Sequence, residues 1–222
     1  LDRFDSSERR ALEAALGEFK EAEVAGADMP ASHLNLGAFL ESQGRREEAA
    51  QSYRAALKLD PAFGPARINL ARLYSEQGRN AEAERVLRDG ITLTPAQGEL
   101  TYSLGLLLAE DKRLPEAVEA LGRAARLLPG AARVQYNHGL ALQQVGRRRE
   151  AEAALLRAFE LDPNDPQIPY ALAILYEQEG QYKRALVFAQ RLSEMAPADP
   201  GSRQLLDRIR QRSASSEAPA SR

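Results

Sequence analysis

Small and apolar residues recur along this chain at two superimposed spacings. Over short distances apolar side chains return every three or four residues, as Leu36 and Leu40 do, and again Tyr53 and Leu57. That period places them on one stripe of an α-helix. Over long distances the stripes themselves return every 34 residues, in units that begin at Pro30, Gly64, Gly98, Ala132 and Pro166. Gly37, Ala71, Gly105, Gly139 and Ala173 stand near the middle of each first helix. Twelve residues later comes an alanine: Ala49, Ala83, Ala117, Ala151, Ala185. Each unit closes on a proline, at Pro61, Pro95, Pro129, Pro163 and Pro197. A fixed period of this length marks a stacked-repeat architecture, in which no unit buries its apolar face alone.

The pattern predicts two helices per unit. Small side chains at the recurring sites let two helix backbones approach where larger ones would hold them apart. Gly44, Gly78, Gly146 and Gly180 fall between the two helices, where a helix-ending glycine belongs. The closing proline stops the second helix and sets the turn into the next unit, as in "LKLDPAFGPA" and "FELDPNDPQI". The third unit departs from this pattern, with Lys112 in place of the inter-helix glycine. Its Pro115 falls in the first turn of the next helix, where the missing N–H costs little. In the fifth unit Ala189 and Leu192 reverse the usual large and small sites, which predicts altered packing against the segment after it.

Taken together, the small first-helix residue, the second-helix alanine, the aromatic or leucine four residues after it and the closing proline resemble the tetratricopeptide repeat (TPR) family over residues 30 to 199. The resemblance implies an all-α fold, a right-handed α-solenoid (TPR superhelix) of antiparallel helix hairpins, with five full units at 30–63, 64–97, 98–131, 132–165 and 166–199. Residues 1–29 read as an N-terminal half repeat, because Ala15, Phe19 and Ala22 keep second-helix spacing. Residues 200–212 read as a C-terminal capping helix with Leu205, Leu206 and Ile209 inward. The polar, small "SASSEAPASR" of 213–222 reads as a disordered tail. The chain starts at Leu1 with no signal segment and reads as a piece of a longer protein.

Composition narrows the chemistry. Hydrophobic residues make up 44% of the chain, enough for a continuous core, and no apolar run approaches the roughly 18 residues that span a bilayer. The net charge of −2 supplies no basic field for nucleic acid. Cysteine is absent, which removes disulfides, thiolate nucleophiles, cysteine-held metals and covalent haem attachment, and leaves the compartment open between cytoplasm and periplasm. His33 and His138 lie in different units and offer no metal pair. The arginine-rich turns "GRREEA" and "GRRREAE" read as solvated turns paired with the glutamates that come after. "DPNDP" reads as a turn and lacks the ligand spacing of a calcium loop. No catalytic residue, cofactor or metal is expected.

Function is sought instead on the first helices. Resemblance to TPR proteins implies that the fifth, sixth, ninth and twelfth residues of each unit line a concave groove. The fifth sites are Leu34, Ile68, Tyr102, Tyr136 and Tyr170, with Asn35, Asn69 and Asn137 beside them; the ninth are Ala38, Arg72, Leu106, Leu140 and Ile174. These residues predict a non-catalytic scaffold that holds a peptide or helix of a partner protein, tyrosine offering rigid apolar area with a polar tip. The basic clamp with which some family members hold acidic C-terminal tails is missing, since Leu34, Ile68 and Tyr102 stand at such sites. Terminal helices leave homo-oligomerisation open. A second, less specific similarity is to repeat regions that follow multihaem c-type cytochrome domains in exported bacterial proteins, which would make this chain a docking region of an enzyme or electron carrier.

The stretch "YNHGLAL" (136–142) mimics a catalytic cluster, but its register divides it. His138 occupies a seam site that is leucine in the other four units, and is expected to point into helix packing with a carbonyl or water as partner. Tyr136 and Asn137 are expected to face the groove.

Overall fold

In the computed structural model the described residues are 29–217, with Ala14 and Gly17 before them. Among them are eleven α-helices and no strand. They run α1 (Pro30–Ser42), α2 (Arg46–Leu59), α3 (Gly64–Glu76), α4 (Asn80–Leu93), α5 (Gly98–Glu110), α6 (Leu114–Leu127), α7 (Ala132–Gln144), α8 (Arg148–Leu161), α9 (Gln167–Gln178), α10 (Tyr182–Met195) and α11 (Pro200–Glu217). The fold is all-α, an α-solenoid of antiparallel helix hairpins. It divides into two compact units, residues 1–107 and 108–222. In the first, α1 packs on α2, α2 on α3 and α3 on α4. In the second, each helix from α6 to α11 packs on the next. First helices also touch across hairpins, α1 with α3 and α7 with α9. The expected half repeat at 1–29 lies outside the described residues.

The 34-residue register is a packing register. Ala49, Ala83, Ala117, Ala151 and Ala185 are all 0% exposed, so no larger side chain fits at that site. The small first-helix residue faces the large second-helix one. A Cβ built on Gly139 would lie 2.7 Å from Cγ of Leu155, itself fully buried, and 3.3 Å from the backbone oxygen of Ala151. In the fifth unit, where this pair is Ala173 and Ala189, bulk comes from elsewhere. Tyr176 stacks on Phe188 at 5.7 Å, and Phe188 meets Phe159 edge-on at 5.5 Å.

Every described hairpin turn ends its first helix in the same way. The four inter-helix glycines have φ between +70° and +77°, the left-handed region that costs glycine nothing. Around Gly44 the N–H of Arg45 reaches back to the carbonyl of Leu40 and that of Gly44 to Glu41, satisfying the last carbonyls of α1. Lys112 adopts φ of +62° at the equivalent place, with the same long bond from Arg113 to Leu108. A lysine bears a steric cost there that glycine avoids. Lys112→Gly is therefore expected to stabilise the chain by about 1 kcal/mol, read as a raised denaturation midpoint at unchanged m-value.

The next residue closes the turn. Arg45, Arg79, Arg113 and Arg147 each fork onto the glutamate three residues ahead, Glu48, Glu82, Glu116 and Glu150. The arginine-rich turns are thus solvated ion pairs, as their sequence suggests. The fifth turn has the polarity reversed. Gln181 takes the arginine's place and Arg184 the glutamate's, and Arg184 reaches Glu152 on α8.

One boundary differs from expectation. The last helix does not stop at 212 but runs to Glu217, so residues 213–217 are helical and no disordered tail begins at 213. Alanine and serine continue a helix at low cost once it is formed. The Ser215 and Ser216 hydroxyls donate to the carbonyls of Gln211 and Ser213 rather than competing for a turn. Leu205, Leu206 and Ile209 are buried, as their spacing predicts.

Candidate functional site

The seventh residue of a unit and the fifth point to different sides of a helix. Leu36, Leu70, Leu104 and Leu172, all seventh, are buried. None of the twelve fifth-, sixth- and ninth-site candidates is. Asn35, Arg72 and Tyr170 are exposed, and Leu34, Ile68, Asn69, Tyr102, Leu106, Tyr136, Asn137, Leu140 and Ile174 are half-buried. The first helices therefore carry a partly exposed stripe opposite the seam.

Within residues 1–107, two candidates already have partners on neighbouring helices. Glu41, on the twelfth site of α1, sits beside the ninth-site Arg72 of α3, and their ion pair is 2.6 Å long. Arg72 also pairs with Glu76 at 2.6 Å. The hydrogen bond it donates to Glu41 is the chief reason the Arg72 guanidinium holds its proton more tightly than usual. The Tyr53 hydroxyl donates to Glu41 at 2.9 Å and also meets the Asn69 side chain. Burial first, then Glu41, pushes the Tyr53 phenol well up. Arg72 and Asn69, expected to meet a partner, also tie α1, α2 and α3 together.

Within residues 108–222 the stripe opens into a cavity of about 660 Å³. Tyr136 of α7 and Tyr170 of α9 line it, with apolar surface from Leu192 and Leu205 and amides from Gln167 and Gln204. Burial and the Asp165 carboxylate raise the pKa of Tyr136, keeping the phenol a proton donor. The charged side chains at the rim are engaged within the protein. The carboxylate of Asp199 accepts the backbone N–H groups of Gly201 and Ser202 and so starts α11. Arg208 forks onto Glu177 at 2.8 and 3.0 Å, and Arg212 lies 3.4 Å from the same carboxylate. Glu177 is only 6% exposed, and these arginines satisfy a charge that burial would otherwise penalise.

Sequence reasoning missed Gln204 and Arg208, although the signal was present. They are the fifth and ninth residues of a sixth register step, 34 positions after Tyr170 and Ile174. The helix read as a cap is a first helix in all but name.

His138 packs in the seam. A Cβ on Gly122 of α6 would meet its Nε2 at 3.0 Å. Of the carbonyl or water expected as its partner, the carbonyl is not found among the described residues, and the ring is half-buried. Burial lowers its pKa, Arg147 repels the cation, and Glu150 offsets part of this. Below about pH 6.5 the unfolded chain takes up a proton that the folded chain still refuses. The stability contributed by neutral His138 is thus complete above that pH and is lost as pH falls through the lower folded value. His138→Leu is expected to be neutral or stabilising by up to about 1 kcal/mol and to flatten that slope, measured by denaturant titration on both sides of pH 6.5.

Among the described residues no group of histidine, aspartate or glutamate side chains could hold a metal ion, and no helix is long and apolar enough to cross a membrane. Two-helix repeats that bury one face of each first helix and leave the opposite stripe open define a helical-repeat interaction protein. The chain belongs to the tetratricopeptide repeat family: one family model matches residues 40–104 and 142–209, and a second matches residues 3–62. Among solved structures it is similar to pilF of Pseudomonas aeruginosa, with 24% identity, 84% of this chain and 87% of that chain covered, and a TM-score of 0.70. It is similar to YrrB, a TPR protein with an unusual peptide-binding site, at 21% identity, 87% and 97% coverage and a TM-score of 0.66. A thermophilic TPR protein of Thermus thermophilus shares 27% identity over 82% of this chain and 99% of that one, with a TM-score of 0.59. No curated protein matches. The repeat fold makes the chain a protein-protein interaction scaffold.

Proposed function

We propose that this scaffold is non-catalytic and takes a segment of a partner protein on the open stripe of its first helices. The observation that carries the reading is the cavity in residues 108–222, where fifth-site residues of three successive register steps, Tyr136, Tyr170 and Gln204, share one lining. Tyrosine there supplies rigid apolar area at small entropic cost and keeps a hydroxyl for orientation. Recognition of this kind concentrates its free energy in a few aromatic anchors.

The test is affinity capture by the full chain, wild type against a variant with Tyr102, Tyr136 and Tyr170 all changed to alanine. Loss of the specifically captured proteins, with helicity intact by circular dichroism, is the expected outcome. Unchanged capture by the variant would remove the stripe from consideration.

A further inference from the structure

The cavity between α7, α9 and α11 has a chemistry that selects among peptide conformations. Its lining includes two phenols and two carboxamides, of Tyr136, Tyr170, Gln167 and Gln204. None of the four makes a side-chain hydrogen bond to another described residue; the Gln167 bond to Asp165 comes from its backbone N–H. The donors are thus unspent. The charges balance: Arg208 and Arg212 stand against Glu177, with which both pair, and against Asp199, whose carboxylate accepts the first N–H groups of α11. With two cations set against two carboxylates, the opening offers neither an acidic nor a basic segment a net opposite charge, and a charged group entering would lose hydration without replacement.

A helix would bring backbone groups already bonded to one another, and would offer those four donors no free backbone acceptor. A polyproline II segment brings the opposite. Its backbone makes no internal hydrogen bonds, and where its residues are proline it presents carbonyl acceptors with no N–H to satisfy. Spacing agrees. Packed helices lie about 8–10 Å apart, and three residues of polyproline II advance about 9 Å. Prolines three apart can therefore rest on Tyr170 and Tyr136 in turn, with the intervening carbonyls toward the phenols and amides. Tyr170 is 50% exposed with no ring or cation of the described residues stacked on it, an aromatic surface of the kind proline rings cover.

Resting on the reading above, we propose that this cavity takes an uncharged, proline-rich segment in the polyproline II conformation. The occupant is extended, enters with little conformational entropy left to lose, and is oriented by hydroxyl and amide donors.

Fluorescence anisotropy of labelled decaproline titrated with the full chain tests this, beside an alanine-rich helical peptide of equal length. Saturable binding of decaproline, clearly tighter than that of the helical peptide, is expected. Tyr170→Ala should weaken it at least about tenfold, as loss of an aromatic anchor does. Tyr170→Phe should weaken it less, and Val187→Ala, which trims an exposed apolar residue on α10 away from the cavity, should not change it. Because Tyr170 is so exposed, its replacement leaves folding intact, which circular dichroism verifies. Absence of saturable decaproline binding, equal or better binding of the helical peptide, or indifference to Tyr170→Ala would each overturn the proposal. These outcomes separate from failure of the scaffold reading. Tyrosine-dependent capture of partners without decaproline binding refutes only the proline-rich assignment, whereas tyrosine-independent capture removes both.

Discussion

Replacing Tyr176 by alanine is expected to destabilise the chain by about 3–5 kcal/mol, the range for emptying a large aromatic site that cannot collapse. The ring is 0% exposed and does three jobs at once. One face stacks on Phe188 at 5.7 Å. The Arg184 guanidinium lies 4.0 Å from its centroid, a cation–π contact. Its hydroxyl donates to Glu152 at 2.9 Å, tying α9 to α8. Phe188, braced edge-on by Phe159, has no freedom to fill the space. Tyr176→Phe keeps the ring and loses the hydroxyl's bond to Glu152 and the one it accepts from Arg184, which is expected to cost about 1 kcal/mol, because Arg184 and Glu152 still satisfy each other. Urea titration of both variants separates ring from hydroxyl. A cost below about 1.5 kcal/mol for the alanine variant would mean that the fifth hairpin repacks, contrary to this account. Burial and the bond to Glu152 push the phenol up to about 12. Its contribution is therefore full below pH 10, the unfolded value, and is lost as pH climbs through the folded one.

Gly37→Ala carries the second large effect, and its sign depends on a residue sixteen positions away. A Cβ at Gly37 would collide with Cε1 of Tyr53 and stand 2.6 Å from its Cδ1. The ring cannot retreat, being 0% exposed and anchored through its hydroxyl to Glu41. Overpacking of this kind costs roughly 1–3 kcal/mol or more, against about 1 kcal/mol gained from better helix propensity. A net loss of about 2 kcal/mol is expected. The second unit places Ala71 and Leu87 at the same two sites, and both are buried. In a Tyr53→Leu background Gly37→Ala should therefore be neutral or stabilising. A double-mutant cycle on denaturation free energies should return a coupling near about 2 kcal/mol, and simple additivity would show that the pair is not what sets the small residue.

Much of this fold can be read from periodicity because periodicity encodes burial. The alanine that recurs every 34 residues is buried wherever it occurs, and the inter-helix glycine always has positive φ. Even the exception is legible, since Lys112 keeps the backbone of the residue it replaces. The stripe opposite the seam follows from the same arithmetic. What periodicity does not reveal is how far long side chains reach. Arg72 and Asn69 stand on the right face but are held by Glu41 and Tyr53 of the neighbouring hairpin. Arg67 is buried, with its guanidinium on the carbonyls of Pro61 and Val86, and Gly90 is small so that its stem fits. No spacing rule announces a buried arginine. The cavity is half legible. Its tyrosines follow from the register, but its α11 wall is hidden, because the closing prolines cease at Pro197 while the register runs on through Gln204 and Arg208.

The reversed fifth turn bears on how the molecule opens. In the four earlier turns the arginine and glutamate clasp each other inside one hairpin, and breaking one leaves its neighbours untouched. At Arg184 the cation crosses to Glu152 and covers Tyr176, so the pairing spans two hairpins. In an array whose parts lean only on adjacent parts, fraying starts at an end and advances hairpin by hairpin. Here the advance from α11 meets a strap rather than a clasp. The amides of α8, α9 and α10 should therefore exchange with solvent as one cooperative block, slower than their nearness to the chain end would suggest.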